Sequence, residues 1–359
     1  MLEWDKLLSP IRRKSLHGST ESMNTGVGRQ ELERDYDRIL FATPTRRLAD
    51  KTQVFPLEEN DSIRTRLTHS HEVSNLARSI GVRLAFDHAE KVFGANHEQL
   101  QVKRNVPALL AAVGLAHDLG NPPFGHQGEQ AIQQWFINNN DLGTIHQDFL
   151  KFDGNAQTLR LLTRLQVLND EFGLNLTFAT LAALIKYPSL ADSPTKGGFK
   201  KFGVFESERK IIEDVWANTG LSNGVRHPFA YVMEACDDIA YSIIDAEDTV
   251  KKGYASFYDL IDYLRSPAKN DEVIMAVIEK ATEKNDEFKT AMLSSRELND
   301  ISMQMFRVAA ISEMVVAATD VFVDNVDKFM NGTIGAGFEL IKNSRCAGLC
   351  EHVKAFDRR

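Results

Sequence analysis

The stretch at residues 114–132 reads GLAHDLGNPPFGHQGEQAI. An apolar helix ends in the adjacent pair His117 and Asp118, the chain turns at Pro-Pro, and a second helix carries His126 and Glu129. Histidine and aspartate are costly to bury unless a partner compensates them. Four such side chains around one turn therefore indicate a polar site rather than an ordinary buried helix.

Helical periodicity dominates the remaining chain, and the alternating runs that are typical of strands are scarce. The sequence therefore predicts an all-α fold. The predicted helices span residues 30–42, 68–93, 103–119, 127–139, 155–171, 177–187, 206–219, 228–251, 256–265, 271–295 and 298–330. Turn-forming residues predict loops at 14–28, 50–64 and 187–205.

A change in composition divides the chain. The segment RSPAKND at 265–271 is typical of a linker, and the helices after it are more charged. We therefore expect a large helical core over residues 1–265, with an N-terminal arm at 1–30. A C-terminal helical extension is expected over 266–359.

The composition is that of a globular protein, with 43% apolar and 26% charged residues. A formal charge of −8 argues against non-specific coating of nucleic acid. Three cysteines do not make a disulfide framework, which favours a reducing compartment. No apolar run approaches the roughly 18 residues of a membrane span, and the first residues lack a signal core. We therefore expect a cytoplasmic protein without membrane contact.

Two predicted helices direct histidines toward one interior. His69 lies four residues before Val73, on the apolar face of its helix, whereas His71 should face away. His117 continues the apolar stripe of the next helix, and Asp118 follows at the helix end. These side chains are candidates for one common site.

A later helix, within YVMEACDDIAYSIIDAED at 231–248, supplies carboxylates. Met233, Asp237, Tyr241 and Asp245 recur every four residues, which predicts one helical face. Two imidazoles and two carboxylates suit a divalent cation with positions left open for water or substrate oxygens. The plainer interpretation is that the inward histidines are satisfied core residues, and the pattern alone leaves both interpretations open.

Seven segments together resemble the HD-domain phosphohydrolases, and within them the deoxyguanosine triphosphate triphosphohydrolases. The segments occur in the same order as in the family, and their sequences are most similar to those of the enterobacterial branch. They are RDYDRILF (34–41), RRLADKTQVFPLE (46–58), RTRLTHSHEV (64–73), AHDLGNPPFGHQGE (116–129), FDGNAQTLRLL (152–162), IKYP (185–188) and EACDDIAYSIIDAED (234–248).

The resemblance implies roles for individual residues. The implied metal ligands are His69, His117, Asp118 and Asp237. Asp238 competes for the last place, and Asp237 is preferred because it keeps Tyr241 and Asp245 on its own face. His126 and Glu129 are implied to act catalytically beside the metal.

The resemblance also implies a nucleotide pocket. The corresponding residues are Gln53, Val54, Asn155, Lys186, Tyr187, Tyr241 and Asp245. Plainer roles exist, since Asn155 could cap a helix and Lys186 could be solvated. The cations available to pair a triphosphate are Arg64, Arg66, Lys186 and the lysines of 196–201. A tyrosine against the sugar's 2′-carbon would exclude a ribose hydroxyl.

These residue types suit hydrolysis at an α-phosphorus. A metal on an α-phosphate oxygen neutralises developing charge and lowers the pKa of a bound water. Attack there expels the deoxynucleoside 5′-oxygen, which needs a proton. His126, beyond the Pro-Pro turn, suits a general acid, and Glu129 lies one helical turn on to orient it.

The implied cofactor is a divalent metal ion, and sites of this type accept Mg, Mn, Fe, Co or Ni according to supply. The resemblance implies a homo-oligomer, a hexamer or a tetramer, and some relatives bind single-stranded DNA as an effector. Family members usually continue into a late segment whose arginine reaches the nucleotide. That segment is not found before the final CEHVKAFDRR, which predicts a truncated or divergent member and leaves base selectivity open.

Three functional hypotheses follow. The first is hydrolysis of dGTP, or of dNTPs more broadly, to deoxynucleoside and tripolyphosphate. The second is another nucleotidase or phosphodiesterase of the HD superfamily. The third is a catalytically reduced regulator that binds nucleotide or single-stranded DNA, against which the intact ligand and catalytic residues argue. Weaker signals are the cluster Cys346, Cys350 and His352, and the glycines of 332–339, which match no dinucleotide fingerprint.

Overall fold

The structure is a computed structural model that describes residues 1–18, 28–56, 62–139, 147–166, 170–190, 198–199 and 201–356. Within these ranges the backbone is helical or irregular, with isolated β-bridges but no strand, so the predicted all-α class is confirmed. No helix in the described part of the chain is long and apolar enough to cross a membrane.

The helices are labelled in chain order. They are α1 Trp4–Leu7, α2 Arg13–His17, α3 Glu31–Leu40, α4 Thr43–Arg47, α5 Arg66–Phe86, α6 Ala89–Phe93, α7 Val102–Ala116, α8 Gly125–Asn138, α9 Gln147–Leu150, α10 Gly154–Arg160, α11 Phe178–Leu184, α12 Arg209–Thr219, α13 Pro228–Ile239, α14 Asp245–Lys251, α15 Phe257–Ala268, α16 Glu272–Phe288, α17 Ser295–Asp324, α18 Val326–Met330 and α19 Ala347–Phe356.

Some predicted helices are interrupted. The helix expected at 68–93 is divided at His88 (φ −127°, ψ 20°), and that at 298–330 is divided at Asn325 (φ −114°, ψ 12°). The helix expected at 228–251 contains a π-helical segment, Ala240–Ile244. A second π-helical segment, Leu161–Leu165, follows α10. Hydrogen bonding in a π-helix runs from i to i+5, so each turn is wider than a turn of an α-helix.

Other boundaries also differ from the expectation. The predicted loop at 14–28 begins inside α2, and residues 19–27 lie outside the described part. The linker expected at 265–271 is partly helical, because α15 continues to Ala268. Leu264 and Ala268 are both buried on the same face, four residues apart, and their burial extends the helix past the predicted end.

The described residues group into two compact units. The first comprises those of Met1–Glu59, Arg64–Glu234 and Val323–Phe338, and the second those of Asn60–Ile63, Ala235–Phe322 and Glu339–Arg359. This division by contacts lies elsewhere than the domain boundary expected near residue 265, which stays a prediction.

In the first unit α5 and α7 are in close backbone contact. A Cβ atom on Gly114 would lie 2.7 Å from the Cα atom of Ser74, and one on Gly81 would lie 3.0 Å from the Cα atom of Pro107. The Ser74 hydroxyl donates a hydrogen bond of 2.8 Å to the Ala111 carbonyl. This close packing fixes the relative positions of the two helices that carry the site histidines.

Within the first unit, a buried ion pair attaches the N-terminal segment to α3. Arg12 Nη1 donates to Asp35 Oδ1 at 2.6 Å, and Arg12 Nε donates to Glu31 at 2.8 Å. The other Asp35 oxygen accepts hydrogen bonds from the Thr177 amide at 2.9 Å and the Thr180 hydroxyl at 2.7 Å. The buried Asp35 carboxylate therefore holds α2, α3 and α11 together.

The second unit contains α14, α15, α16 and α19 and most of α17. Buried apolar side chains on successive turns, such as Leu260, Leu264, Ile274 and Val277, form its core. A buried amide, Asn285, donates 2.7 Å to the Ser302 hydroxyl and so links α16 to α17.

Candidate metal centre and catalytic pair

His69 is fixed by the start of α5. Thr65 caps this helix, since its hydroxyl accepts from the Thr68 amide at 3.5 Å and the Thr68 hydroxyl accepts from the Thr65 amide at 3.0 Å. The cap places His69 in the first turns of the helix, where it is 2% exposed. His71, two residues on, is exposed, as its position on the helix predicts.

His117 is fixed by the end of α7. Its Nδ1 atom lies 2.7 Å from the carbonyl oxygen of Gly114. A carbonyl oxygen only accepts, so Nδ1 donates this hydrogen bond, and Nε2 is the atom through which the neutral tautomer would bind a metal ion. Such a backbone contact is the usual way in which a metal-binding imidazole is oriented.

Asp118 follows directly, and donors contact both of its carboxylate oxygens. Its Oδ2 atom accepts 2.5 Å from Arg66 Nη1, and its Oδ1 atom accepts 2.5 Å from the Asn121 side-chain amide. Oδ1 also lies 3.6 Å from Nε2 of His117.

These three side chains form one compact group of donors. The ligand atoms of His69, His117 and Asp118 all lie within 4.8 Å of one another, and the two imidazole centroids are 5.4 Å apart. It is the one group of this kind in the described part of the chain. Two imidazoles and a carboxylate, buried and pre-oriented, fit a divalent cation.

The Pro-Pro turn leads from this group to a second pair. Phe124 (φ +64°) and Gly125 (φ +54°) take left-handed conformations that end the turn and begin α8. Nδ1 of His126 then lies 2.8 Å from Oε2 of Glu129. The side chain of His126 is 80% exposed, whereas that of Glu129 is 8% exposed.

Glu129 is fixed from behind by α10. Its Oε1 atom accepts a hydrogen bond of 2.8 Å from the Gly154 amide. A Cβ atom on Gly120 would lie 2.2 Å from the Gly154 carbonyl oxygen, so the turn after Asp118 also touches this residue. Gly154 thus connects the turn after Asp118 with the carboxylate that contacts His126.

Asp153 is a site residue that the sequence analysis missed. Its Oδ1 atom accepts 2.8 Å from the backbone amide of Asn155 and 2.8 Å from the Asn155 side chain, so Asp153 is the cap of α10 and Asn155 is not. Its Oδ2 atom lies 3.1 Å from Lys201 Nζ, which is also 3.9 Å from Glu129. The FDGNAQ motif, with an aspartate before a helix, contained the capping signal.

Lys201 is a half-buried cation in this group. Burial by itself would lower its pKa, but Asp153 and Glu129 outweigh burial and raise the pKa of Lys201. The ammonium therefore stays charged at neutral pH. Lys196 and Lys200, predicted with it, lie outside the described residues.

Other residues expected in the nucleotide pocket lie near the start of α5, in the first unit. Lys51 O accepts 2.9 Å from the Arg66 amide, which lays the segment with Gln53 and Val54 against the start of α5. Arg64 Nε lies 2.9 Å from Glu72. Arg64 and Arg66 thus each contact a carboxylate, and their role toward a triphosphate stays a prediction.

Lys186 and Tyr187 follow α11 in an irregular segment. Lys186 Nζ lies 3.1 Å from Glu234 Oε1 and 5.8 Å from the ring centroid of Tyr187. Both residues are half-buried. The ammonium of Lys186 is therefore held rather than freely solvated.

Asp237, Tyr241 and Asp245 lie in the second unit. A π-helical segment, Ala240–Ile244, lies between α13 and α14, so the helix that carries these residues is not regular throughout. Tyr241 is 44% exposed and Asp245 is 7% exposed. That Asp237, Tyr241 and Asp245 share one face stays a prediction.

A contact within the second unit gives a further reason to prefer Asp237 over Asp238. Lys354 Nζ lies 2.7 Å from Asp238 Oδ1 and 5.5 Å from the Tyr241 ring centroid. Burial by itself would lower the pKa of Lys354, but Asp238 outweighs it and raises that pKa. Asp238 is thus engaged in an ion pair with α19.

The C-terminal cysteines do not form a metal site in the described residues. Cys346 and Cys350 are free and buried. Burial raises the pKa of the Cys346 thiol to about 12. A thiol with that pKa stays protonated at neutral pH, which opposes nucleophilic reactivity.

An all-α fold with a buried His-His-Asp group defines a known class. The HD domain model matches residues 66–183, the range that carries His69, His117 and Asp118. The protein is accordingly an HD-domain hydrolase that depends on a metal ion.

Similar proteins narrow the class to a family. A deoxyguanosinetriphosphate triphosphohydrolase-like protein of Listeria monocytogenes is 38% identical over 354 residues, which covers 92% of this chain and 73% of that protein. Proteins of the same description from Synechocystis and Pseudomonas aeruginosa are 42% and 33% identical, covering 75% and 93% of this chain and 65% and 73% of their own lengths. The chain belongs to the family of deoxyguanosinetriphosphate triphosphohydrolase-like proteins.

Proposed function

We propose that the protein hydrolyses dGTP, and other dNTPs to a lesser degree, to the deoxynucleoside and tripolyphosphate. The observation that carries this proposal is the pairing of a buried His-His-Asp donor group with a separate, exposed His126 held by Glu129. A metal-binding group and a proton donor on opposite sides of one turn suit cleavage of a phosphoric ester. The family's name supports dGTP as the substrate.

We propose His69, His117, Asp118 and Asp237 as the metal ligands. The first three are supported by their mutual distances, and Asp237 by the family resemblance and by the ion pair that engages its neighbour Asp238. When bound, a divalent cation would supply charge neutralisation at a phosphate oxygen and a water of lowered pKa. Mn²⁺ and Mg²⁺ are the first ions to test for binding and for activity.

His126 is proposed as the general acid that gives a proton to the departing 5′-oxygen. The Glu129 carboxylate only accepts, so Nδ1 of His126 carries a proton and Nε2 is left to face the substrate. In this orientation a proton given by the imidazole leaves from Nε2, because Nδ1 is engaged with Glu129. The exposure of His126 leaves room for a substrate oxygen beside it.

The nucleotide is proposed to lie along Gln53, Val54, Asn155, Lys186, Tyr187, Tyr241 and Asp245. Lys186 and Lys201, together with Arg64 and Arg66, supply positive charge for the triphosphate. Tyr187 or Tyr241 against the 2′-carbon would give selectivity for a deoxyribose.

The same proposal includes the cellular location, the oligomeric state, the domain organisation and an effector of the protein. We propose a cytoplasmic homo-oligomer, hexameric or tetrameric, with a core at 1–265 and an extension at 266–359. Single-stranded DNA is the effector to test.

The deciding experiment is incubation with each of the four dNTPs and GTP, with Mn²⁺ or Mg²⁺, and identification of both products. Deoxyguanosine with tripolyphosphate is expected from dGTP. Release of dGMP with pyrophosphate, or of dGDP with orthophosphate, would reject the proposal in favour of another HD-superfamily phosphohydrolase. A His117→Ala preparation, purified identically, controls for contaminating phosphatases.

A further inference from the structure

Arg226 is a buried cation in an aromatic cage. It is 5% exposed, and its Cζ atom lies 4.8 Å from the ring centroid of Tyr231, 4.9 Å from that of Phe199 and 5.6 Å from that of Tyr187. A guanidinium stacks favourably on aromatic faces, and more so when water is excluded. The cage therefore fixes Arg226 against Tyr187, a residue of the proposed pocket.

The polar atoms of Arg226 donate hydrogen bonds to Lys186 and Glu234. Arg226 Nε donates to the carbonyl oxygen of Lys186, and Arg226 Nη1 donates to Glu234 Oε2 at 2.8 Å. The other oxygen of Glu234 lies 3.1 Å from Lys186 Nζ. One guanidinium thus contacts the backbone of Lys186 and, through Glu234, its ammonium.

The charges of this triad do not cancel. Two cations, Lys186 and Arg226, face one carboxylate, Glu234, which leaves one net positive charge. Without Arg226 the Lys186–Glu234 pair would be neutral and would attract an anion less. The positive charge of Arg226 therefore offsets the negative charge of Glu234. The Glu234 carboxylate also holds the Lys186 ammonium in place.

The buried charge of Arg226 has a cost, and the place of this residue beside Lys186 gives a reason for it. Burying charges costs solvation free energy, and well-packed apolar residues can often replace a buried ion pair without loss of stability. The residue beside an expected phosphate-binding lysine instead keeps a charge and two directed hydrogen bonds. This arrangement is typical of a side chain that positions another one for an anionic ligand.

We propose that Arg226 is a positioning residue of the polyphosphate subsite. It fixes the Lys186 peptide and the Tyr187 ring, and it leaves the triad with a net positive charge for the phosphates of the substrate. This inference rests on the proposed function, in which Lys186 and Tyr187 contact the nucleotide.

The test compares Arg226→Lys with a matched control, Arg12→Lys. Lysine keeps the charge but cannot reproduce two directed hydrogen bonds and a planar stack. Arg12 is also a buried arginine that contacts carboxylates and a backbone carbonyl in the same unit, but its partners are Glu31, Asp35 and Asn175. The two substitutions should therefore lower stability in a comparable way.

The measurements are KM and kcat for dGTP, the Kd of tripolyphosphate by calorimetry, metal content and Tm. Arg226→Lys should raise KM and the tripolyphosphate Kd about tenfold or more, as expected for the loss of a charge-assisted hydrogen bond. Its kcat should stay within a few-fold of the parent, and its metal content should be unchanged. Arg12→Lys should lower Tm and leave KM and Kd as in the parent.

The outcomes separate the two proposals. Parent-like KM and Kd in Arg226→Lys, with only a lower Tm, would overturn the inference, and so would equal shifts in Arg12→Lys. A parent protein that releases no tripolyphosphate from dGTP would instead reject the proposed function, while its Kd for tripolyphosphate would still test Arg226. If Arg226→Lys does not fold, Phe199→Leu removes one wall of the cage and should raise KM and Kd by a smaller factor. Parent-like values in Phe199→Leu would then count against the inference.

Discussion

The imidazole of His126 and the carboxylate of Glu129 are joined at 2.8 Å, although the histidine is almost fully exposed and the glutamate almost fully buried. The buried partner accepts a second hydrogen bond, from the Gly154 amide. A fixed carboxylate thus orients a solvent-facing imidazole. From this geometry we predict that His126 is a proton donor and does not merely cap the start of α8.

His126→Asn should lower kcat for dGTP by about 10²–10⁴-fold, because general acid catalysis contributes that range. Metal content and KM should change little, since the side chain is exposed and is not part of the donor group. Steady-state kinetics and elemental analysis on the same preparation check both statements. Activity within a few-fold of the parent would exclude the role of general acid, and joint loss of metal and activity would make His126 a ligand or its support.

His69→Ala, His117→Ala and Asp118→Ala should each lose the bound metal while keeping the helical core. The expectation follows from a donor group in which each residue contributes one ligand atom. Elemental analysis and circular dichroism measure the two properties. His71→Ala is the matched control on the same helix, because His71 is exposed and should be dispensable.

Asp237→Asn should lose metal, whereas Asp238→Asn should keep it. Asp238 is engaged by Lys354 at 2.7 Å, so its substitution breaks that ion pair instead of removing a ligand. A lower Tm with normal metal content is expected for Asp238→Asn. The reverse pattern of metal contents would assign the ligand to Asp238.

Gly120→Ala should destabilise the turn that follows the metal-binding pair. An added Cβ atom would lie 2.2 Å from both the Gly154 carbonyl oxygen and the Thr158 amide nitrogen, and both are backbone atoms. Forced overpacking of this kind costs about 1–3 kcal/mol, and it should also weaken metal binding by moving Asp118. Gly335→Ala is the control, because a Cβ atom there would meet no atom within 4 Å. Equal Tm values for the two variants would contradict the expectation.

Acid should destabilise the protein through His227. This residue is fully buried, with Nε2 donating 3.1 Å to the Leu7 carbonyl and Nδ1 accepting 3.0 Å from the Phe229 amide. Burial lowers the pKa of His227 from 6.5 to about 4, with the Leu7 carbonyl opposing the shift. The folded state therefore resists protonation over a range in which the unfolded chain binds a proton.

The resulting stability is fully present above pH 6.5 and is lost as the pH falls toward 4, by about 3 kcal/mol in total. His227→Gln cannot take up this proton, so its Tm should fall less between pH 7 and pH 5 than that of the parent. Thermal unfolding at both pH values measures the difference. Parallel pH profiles would show that other groups cause the acid sensitivity.

Local patterns in the sequence predicted the helices that carry His69 and His117, because burial of an apolar stripe repeats within a few residues. They did not predict the partners that hold the site. Arg66 and Asp118 are 52 residues apart, and Lys354 and Asp238 are 116 apart. Such pairs depend on tertiary packing, which no local repeat encodes.

The π-helical segment at Ala240–Ile244 shows a different limit. The interpretation of the repeat at Asp237, Tyr241 and Asp245 assumes the constant angle per residue of an α-helix. A π-helical turn contains more residues than an α-helical turn, and the spacing of these residues does not predict where such a turn is inserted.

The close contact between Ser74 and Gly114 affects how the candidate metal centre takes up its ion. With the two backbones touching, the spacing of His69 and His117 is set by interhelical packing before any ion arrives. A chelator should then strip the ion and leave the scaffold standing, unlike a zinc finger, whose chain collapses without its metal. We therefore expect one folded molecule to exchange its ion without unfolding, so that the metal ions available in the surroundings, rather than the folding event, determine which ion is bound.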